Sequence, residues 1–207
     1  MSVMDSNKRL QYVDRLTDPP VARALFGKTR WAWIWLLVRL YVGYTWLSSG
    51  IGKLGSAAWT GENAGAAVTG FVQGALALTE GARPQVLGWY GRFLEAVVLP
   101  NATTFSYLVV AGELLVGTAL VLGIFTGIAA LFGSFMNASF LLAGTAGINP
   151  VLLTLEILLI LAWKVAGWWG LDRWVLPALG TPWRPGLVFE RGDEGREGPV
   201  VEEPGPA

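Results

Sequence analysis

Five strongly polar side chains lie inside stretches otherwise built from apolar residues: Arg39, Glu113, Asn137, Glu156 and Lys164. A sixth, Lys53, closes the first of those stretches, LLVRLYVGYTWLSSGIGK from Leu36 to Lys53. In lipid a buried charge costs from about 2.5 to more than 10 kcal/mol, so each needs a partner inside the protein. Arg39 and Lys53 can donate to a ligand oxygen, Glu113 and Glu156 can carry protons, and the Asn137 amide can do both. At a rise of about 1.5 Å per residue, Arg39 falls about 12 Å from the inner end of its helix and Glu113 about 15 Å from the outer end of its own. That places both near the midplane and predicts an Arg39–Glu113 pair, with Asn137 completing the cluster. By the same arithmetic Glu156 falls about 9 Å below the outer surface, within reach of Lys53 as a second pair. Lys164 is close enough to the inner face to snorkel. Two readings stand side by side: a polar site in which Arg39, Glu113 and Glu156 do chemistry and Lys53 and Asn137 help bind, or buried ion pairs that fix helix register.

The chain that must position these groups has 207 residues, of which 53% are hydrophobic and 14% charged. Mean hydropathy is +0.49. Eleven tryptophans agree with a bilayer protein, because indole favours the headgroup level. There is no cysteine and no histidine, which excludes thiolate, iron–sulfur, histidine-haem and ordinary zinc chemistry; no haem, metal or flavin is expected in this chain. The formal net charge of +0 offers no basic field for nucleic acid, and none is expected as partner.

Residues 1–30 form a basic cytoplasmic juxtamembrane segment with Lys8, Arg9, Arg15, Arg23, Lys28 and Arg30, broken at Asp18-Pro19-Pro20. Residues 31–183 read as one membrane domain with spans at about 31–52, 103–125, 127–146 and 150–170. Trp31, Trp33 and Trp35 would mark the interface where the first span begins. A cleaved signal peptide is the competing reading of that first stretch, opposed by its long polar lead and by Arg39. The outer loop, 53–102, is far longer than adjacent helices need. From Pro84, Val86, Leu87, Tyr90, Phe93, Leu94, Val97 and Val98 follow at helical spacing, predicting an amphipathic cap that ends at Pro100-Asn101, with a shorter partner over 64–78. Ala130, Ser134 and Ala138 give the third span a small-residue stripe for close packing. An interfacial helix is expected over 171–179 and a disordered cytoplasmic tail over 184–207. Lysine and arginine flank the inner ends, so both termini face the cytoplasm. The fold class is all-α integral membrane: a four-helix transmembrane bundle, N-in and C-in, with a helical cap between the first two spans.

The runs RLYVGYTWLSSGIGKL (Arg39 to Leu54) and AGELLVGTALVLGIFTGIAA (Ala111 to Ala130), the Met136-Asn137 pair, the turn LLAGTAGINPVLL and the segment AWKVAGWWGLDRWVLPALGTPW resemble the DoxX family of prokaryotic membrane proteins. The resemblance covers about residues 31–183. It implies a four-helix bundle in the plasma membrane, related to the DoxD-type large subunit of thiosulfate:quinone oxidoreductase. It also implies a quinone-facing cluster in which Arg39, Lys53 and Glu113 hold the family's polar positions.

On that reading the chain is a quinone-interacting subunit of a redox system. A quinone entering from lipid would bond Arg39 or Lys53, Glu113 or Glu156 would move protons, and a partner subunit would carry the electron donor. The chain has no soluble domain for thiosulfate and no cysteine for a persulfide. A non-catalytic membrane anchor or assembly partner is the alternative, with a small-solute transporter as a third. The lipid bilayer is the partner common to all three, and homo-oligomerisation is left open.

Overall fold

The computed structural model describes residues 18–181, and everything described is helix, turn or irregular chain. The expected basic segment before residue 18 and the expected tail from 184 lie outside the described residues.

A short helix α1 (Pro20–Gly27), with proline in its first turn, precedes the long helix α2 (Ala32–Leu54). Next come α3 (Ala66–Ala77), introduced by Gly65 at φ +98°, and α4 (Gly88–Phe93). The last four are α5 (Ala102–Leu122), α6 (Thr126–Leu142), α7 (Asn149–Leu161) followed by the single turn α8 (Trp163–Ala166), and α9 (Asp172–Ala178). Helix α2 packs on α5, α5 on α6, α6 on α7, and α7 returns to α2. Helix α3 covers α5 from outside that ring, and α1 packs on α8.

The distribution of polarity is the reverse of a soluble protein's. Arg39, Glu113, Asn137, Glu156 and Asp172 are buried, whereas Leu37, Tyr44, Leu108, Leu115, Phe135 and Leu161 are exposed. Apolar surface on this scale needs a covering, and lipid is the natural one. One helical run, Gly88–Leu122, is long and apolar enough by itself to cross a bilayer; Thr126–Leu142 and Asn149–Leu161 are apolar but shorter.

That long run corrects the expectation for the cap. The helix begins at Gly88, not Pro84, and does not end at Pro100-Asn101. It passes through a π turn (Leu94–Val98) and a 3-10 turn (Leu99–Asn101) straight into α5. Pro100 has no N–H to give, and the change of hydrogen-bond register on either side of it lets the chain continue. The fourth expected span is also shorter than its composition suggests, because helix α7 stops at Leu161. Trp35 is another correction: it is buried, not interfacial, and its Nε1 donates to Leu25 O at 2.9 Å.

Glycine sets the closest approach in the ring. A methyl on Gly117 would lie 2.5 Å from Leu47 N, one on Gly50 3.1 Å from Leu114 N, and one on Gly43 3.0 Å from Val121 N. The α2–α5 backbones therefore touch, in an antiparallel register that pairs residue 43 with 121, 47 with 117 and 50 with 114. Of the expected stripe on α6, Ala130 and Ser134 are buried and Ala138 is partly so.

Candidate functional site

Arg39, Trp46 and Lys53 follow one another at seven-residue intervals along α2. Seven residues are close to two turns, so all three project from nearly the same face, about 10 Å apart along the axis. Each anchors a separate polar centre, so the chain meets its polar obligations at three depths.

At the first depth Arg39 binds main chain. Its Nη1 donates to Leu120 O at 2.6 Å and Val121 O at 3.2 Å, and its Nη2 donates to Trp169 O at 3.2 Å. The acceptors at 120 and 121 belong to the last turn of α5, where carbonyls lack helical partners and the dipole favours a cation. Asp172 lies within electrostatic reach of Arg39 and is itself buried. It accepts from Phe125 N at 2.6 Å and Thr126 N at 2.9 Å, capping the first turn of α6. Between these two helix ends the chain turns through Gly123 at φ +66° and Phe125 at φ +48°. Gly123 is obligatory there, since a methyl on it would run into the Arg39 guanidinium. Arg39 and Asp172 thus staple the α5–α6 turn to the chain that follows α8. A cavity of about 310 Å³ adjoins the staple, lined by Thr126, Ile128, Ile160, Trp163, Asp172 and Leu176 among others.

At the second depth, Trp46 Nε1 donates to Glu156 Oε1 at 2.6 Å, and Asn137 Nδ2 donates to Glu156 Oε2 at 2.7 Å. Glu156 and Asn137 are both fully buried. Gly133 makes the room, because a methyl there would lie 2.5 Å from Glu156 Oε1.

At the third depth, Lys53 Nζ donates to Glu113 Oε1 at 2.7 Å, to Glu113 Oε2 at 2.8 Å and to Ser49 Oγ at 2.6 Å. Glu113 is 2% exposed and Lys53 21% exposed in their side chains. The ammonium also stands 5.1 Å from the Trp59 ring centroid, so one cation serves a carboxylate, a hydroxyl and an indole face. This is the one ion pair found among the described residues.

The expected Arg39–Glu113 pair is absent. In the α2–α5 register Glu113 stands level with residue 51, roughly 18 Å along the axis from Arg39. Lys53 takes Glu113 in its place, and Asn137 takes Glu156, so neither the Lys53–Glu156 pair nor the Arg39–Glu113–Asn137 cluster forms. Lys164 is exposed and lies 5.9 Å from the Trp163 ring centroid.

Four residues that complete these centres were not singled out by sequence. A signal existed for Trp46, a tryptophan well inside a span: its N–H cannot be buried in lipid without an acceptor. Asp172, in Gly170-Leu171-Asp172-Arg173, reads from sequence as a surface residue. Ser49 and Trp59 carry no mark in the sequence that sets them apart.

A family model described as DoxX matches residues 34–145, more than half of the chain. Arg39, Lys53, Glu113 and Asn137 lie inside the matched stretch and Glu156 beyond it. No curated protein and no solved structure matches. The chain belongs to the DoxX family, and is a membrane protein of that family.

Proposed function

We propose that this chain is a quinone-interacting membrane subunit of a redox system, with Lys53, Glu113 and Trp59 forming the contact. The observation that carries the reading is the Lys53–Glu113 pair: a partly exposed ammonium held against a buried carboxylate beside an aromatic face. The four long helices serve as a four-helix transmembrane bundle in a prokaryotic plasma membrane, with both ends inside. That orientation puts Lys53 in the outer half, at the lipid-facing edge of α2.

The donor set fits a quinone. Lys53 can exchange its bond to Ser49 for one to a ring carbonyl, Trp59 can cover the ring, and Glu113 stands within hydrogen-bond distance of the ammonium to give or take a proton. A quinone supplies coupled electron and proton transfer. On this reading the electrons come from a partner subunit. Arg39, whose fork is committed to main-chain carbonyls, is a structural residue on this account and leaves the binding set.

That same commitment favours a second reading, a non-catalytic membrane anchor or assembly partner whose charges are glue. Binding of decylubiquinone to the full chain in phospholipid nanodiscs separates the two. A redox subunit binds it, and Lys53→Met weakens binding at least ten-fold while Lys164→Met does not. An anchor shows no saturable binding in any of the three.

A further inference from the structure

Among the described residues, no cation is paired with the buried carboxyl of Glu156. Each cation on the elements around it is engaged elsewhere. On α2, Arg39 bonds the carbonyls of Leu120, Val121 and Trp169, and Lys53 bonds Glu113 and Ser49. On α8, Lys164 is exposed and turned to Trp163. The remaining acids nearby, Glu113 on α5 and Asp172 on α9, are of the wrong sign. Helix α6 contributes no charge at all. Glu156 meets only two neutral donors, the Trp46 indole and the Asn137 amide, in a fully buried place. Two such bonds do not replace a counter-ion for an ionised carboxylate removed from water.

The Asn137 amide carries a second mark. Its Oδ1 is buried and has no hydrogen-bond partner, while its Nδ2 binds Glu156 Oε2. A half-turn of the amide about its last torsion exchanges the two atoms at little cost in shape. The same side chain can therefore face Glu156 with a donor or with an acceptor.

We propose that Trp46, Asn137 and Glu156 form a binding site for a single proton, in which Glu156 is held as the carboxylic acid and Asn137 reads its state. One proton from the aqueous phase adds to Oε2 of the carboxylate, and no electron moves. The new O–H donates to Asn137 Oδ1, which has turned toward it, and Trp46 Nε1 continues to donate to Oε1. Loss of the proton returns the amide to the orientation in which Nδ2 donates. The site is independent of the quinone reading, since it shares no residue with the Lys53–Glu113 pair.

Infrared spectroscopy of the full chain in phospholipid vesicles, with ¹³C-labelled glutamate and at neutral pH, tests this directly. The difference between wild type and Glu156→Gln is expected to contain the carbonyl band of a protonated carboxylic acid. Trp46→Phe is expected to keep that band and move it to higher frequency, because a hydrogen bond to the carbonyl oxygen is lost. Should Glu156→Gln fail to fold, the wild-type band and its shift in Trp46→Phe still decide the matter. A difference spectrum holding only carboxylate bands, or a Trp46→Phe spectrum identical to wild type, would overturn the proposal.

Discussion

Lys53 Nζ donates to both carboxylate oxygens of Glu113, at 2.7 and 2.8 Å, across the C-terminal end of α2 and the facing stretch of α5. The pair joins a cation at the last turn of one helix to an acid mid-way along its neighbour, and leaves Arg39 to another task at the opposite end. Division of labour follows from it: one end of α2 is stapled to main chain, the other end holds a partly exposed charge.

Breaking the Lys53–Glu113 pair is expected to be non-additive. Lys53→Met leaves Glu113 buried without a cation and should cost about 3–5 kcal/mol, whereas Lys53→Met with Glu113→Gln should cost much less, since removing both charges removes the desolvation penalty. Thermal unfolding of Lys53→Met, Glu113→Gln and the double variant in detergent, followed by tryptophan fluorescence, checks the order. A loss in the double variant equal to the sum of the two single losses would show the pair is not coupled.

At the other end, Arg39→Met should be among the most destabilising single changes, because it strands the carbonyls of Val121 and Trp169 and leaves Leu120 O only its longer bond from Gly123 N. A loss of about 3 kcal/mol or more is expected. Arg39→Lys should restore less than half of it, since a single ammonium cannot match the guanidinium fork. The fraction of monodisperse protein surviving a temperature ramp reports the ranking.

Asp172 tests the staple from the acid side. Asp172→Ala removes the acceptor for Phe125 N and Thr126 N and should cost about 1–2 kcal/mol, in line with loss of an N-terminal cap. Combined with Arg39→Met the loss should be smaller than the sum of the singles, as for residues in one network. Strict additivity in the same unfolding assay would contradict the staple.

Helix contact through glycine gives a steric prediction. Gly117→Ala puts a methyl 2.5 Å from Leu47 N, against backbone that cannot swing away, and should destabilise by about 1–3 kcal/mol. Gly52→Ala meets nothing within 4 Å and should be neutral or slightly stabilising. Comparing the two unfolding temperatures isolates packing from helix propensity.

Much of this was legible in the sequence and some was not, for physical reasons. Apolar runs, short turns and stranded charges name the long helices, because a helix in lipid must satisfy its own backbone and its ionisable groups must find partners. Depth counted from the helix ends, however, placed Arg39 and Glu113 at one level. Their true levels depend on the register set by Gly43, Gly50 and Gly117, and a glycine's partner on the facing helix cannot be read from one strand of sequence. Arg39 also found main-chain carbonyls, acceptors that every residue carries and that no motif announces. The fate of Pro100 shows the same limit: its missing N–H ends a helix by local rules, yet a π turn beside it carries the helix on.

The central claim is that the Lys53–Glu113 edge, and not Arg39, meets the quinone. Photolabelling of the full chain in phospholipid vesicles with an azido-ubiquinone, followed by peptide mapping, tests it most directly. The account predicts label on the segment spanning Ser49 to Trp59, abolished by excess decylubiquinone and by Lys53→Met. Label that is absent, that survives both, or that concentrates around Arg39 and Asp172 would contradict it.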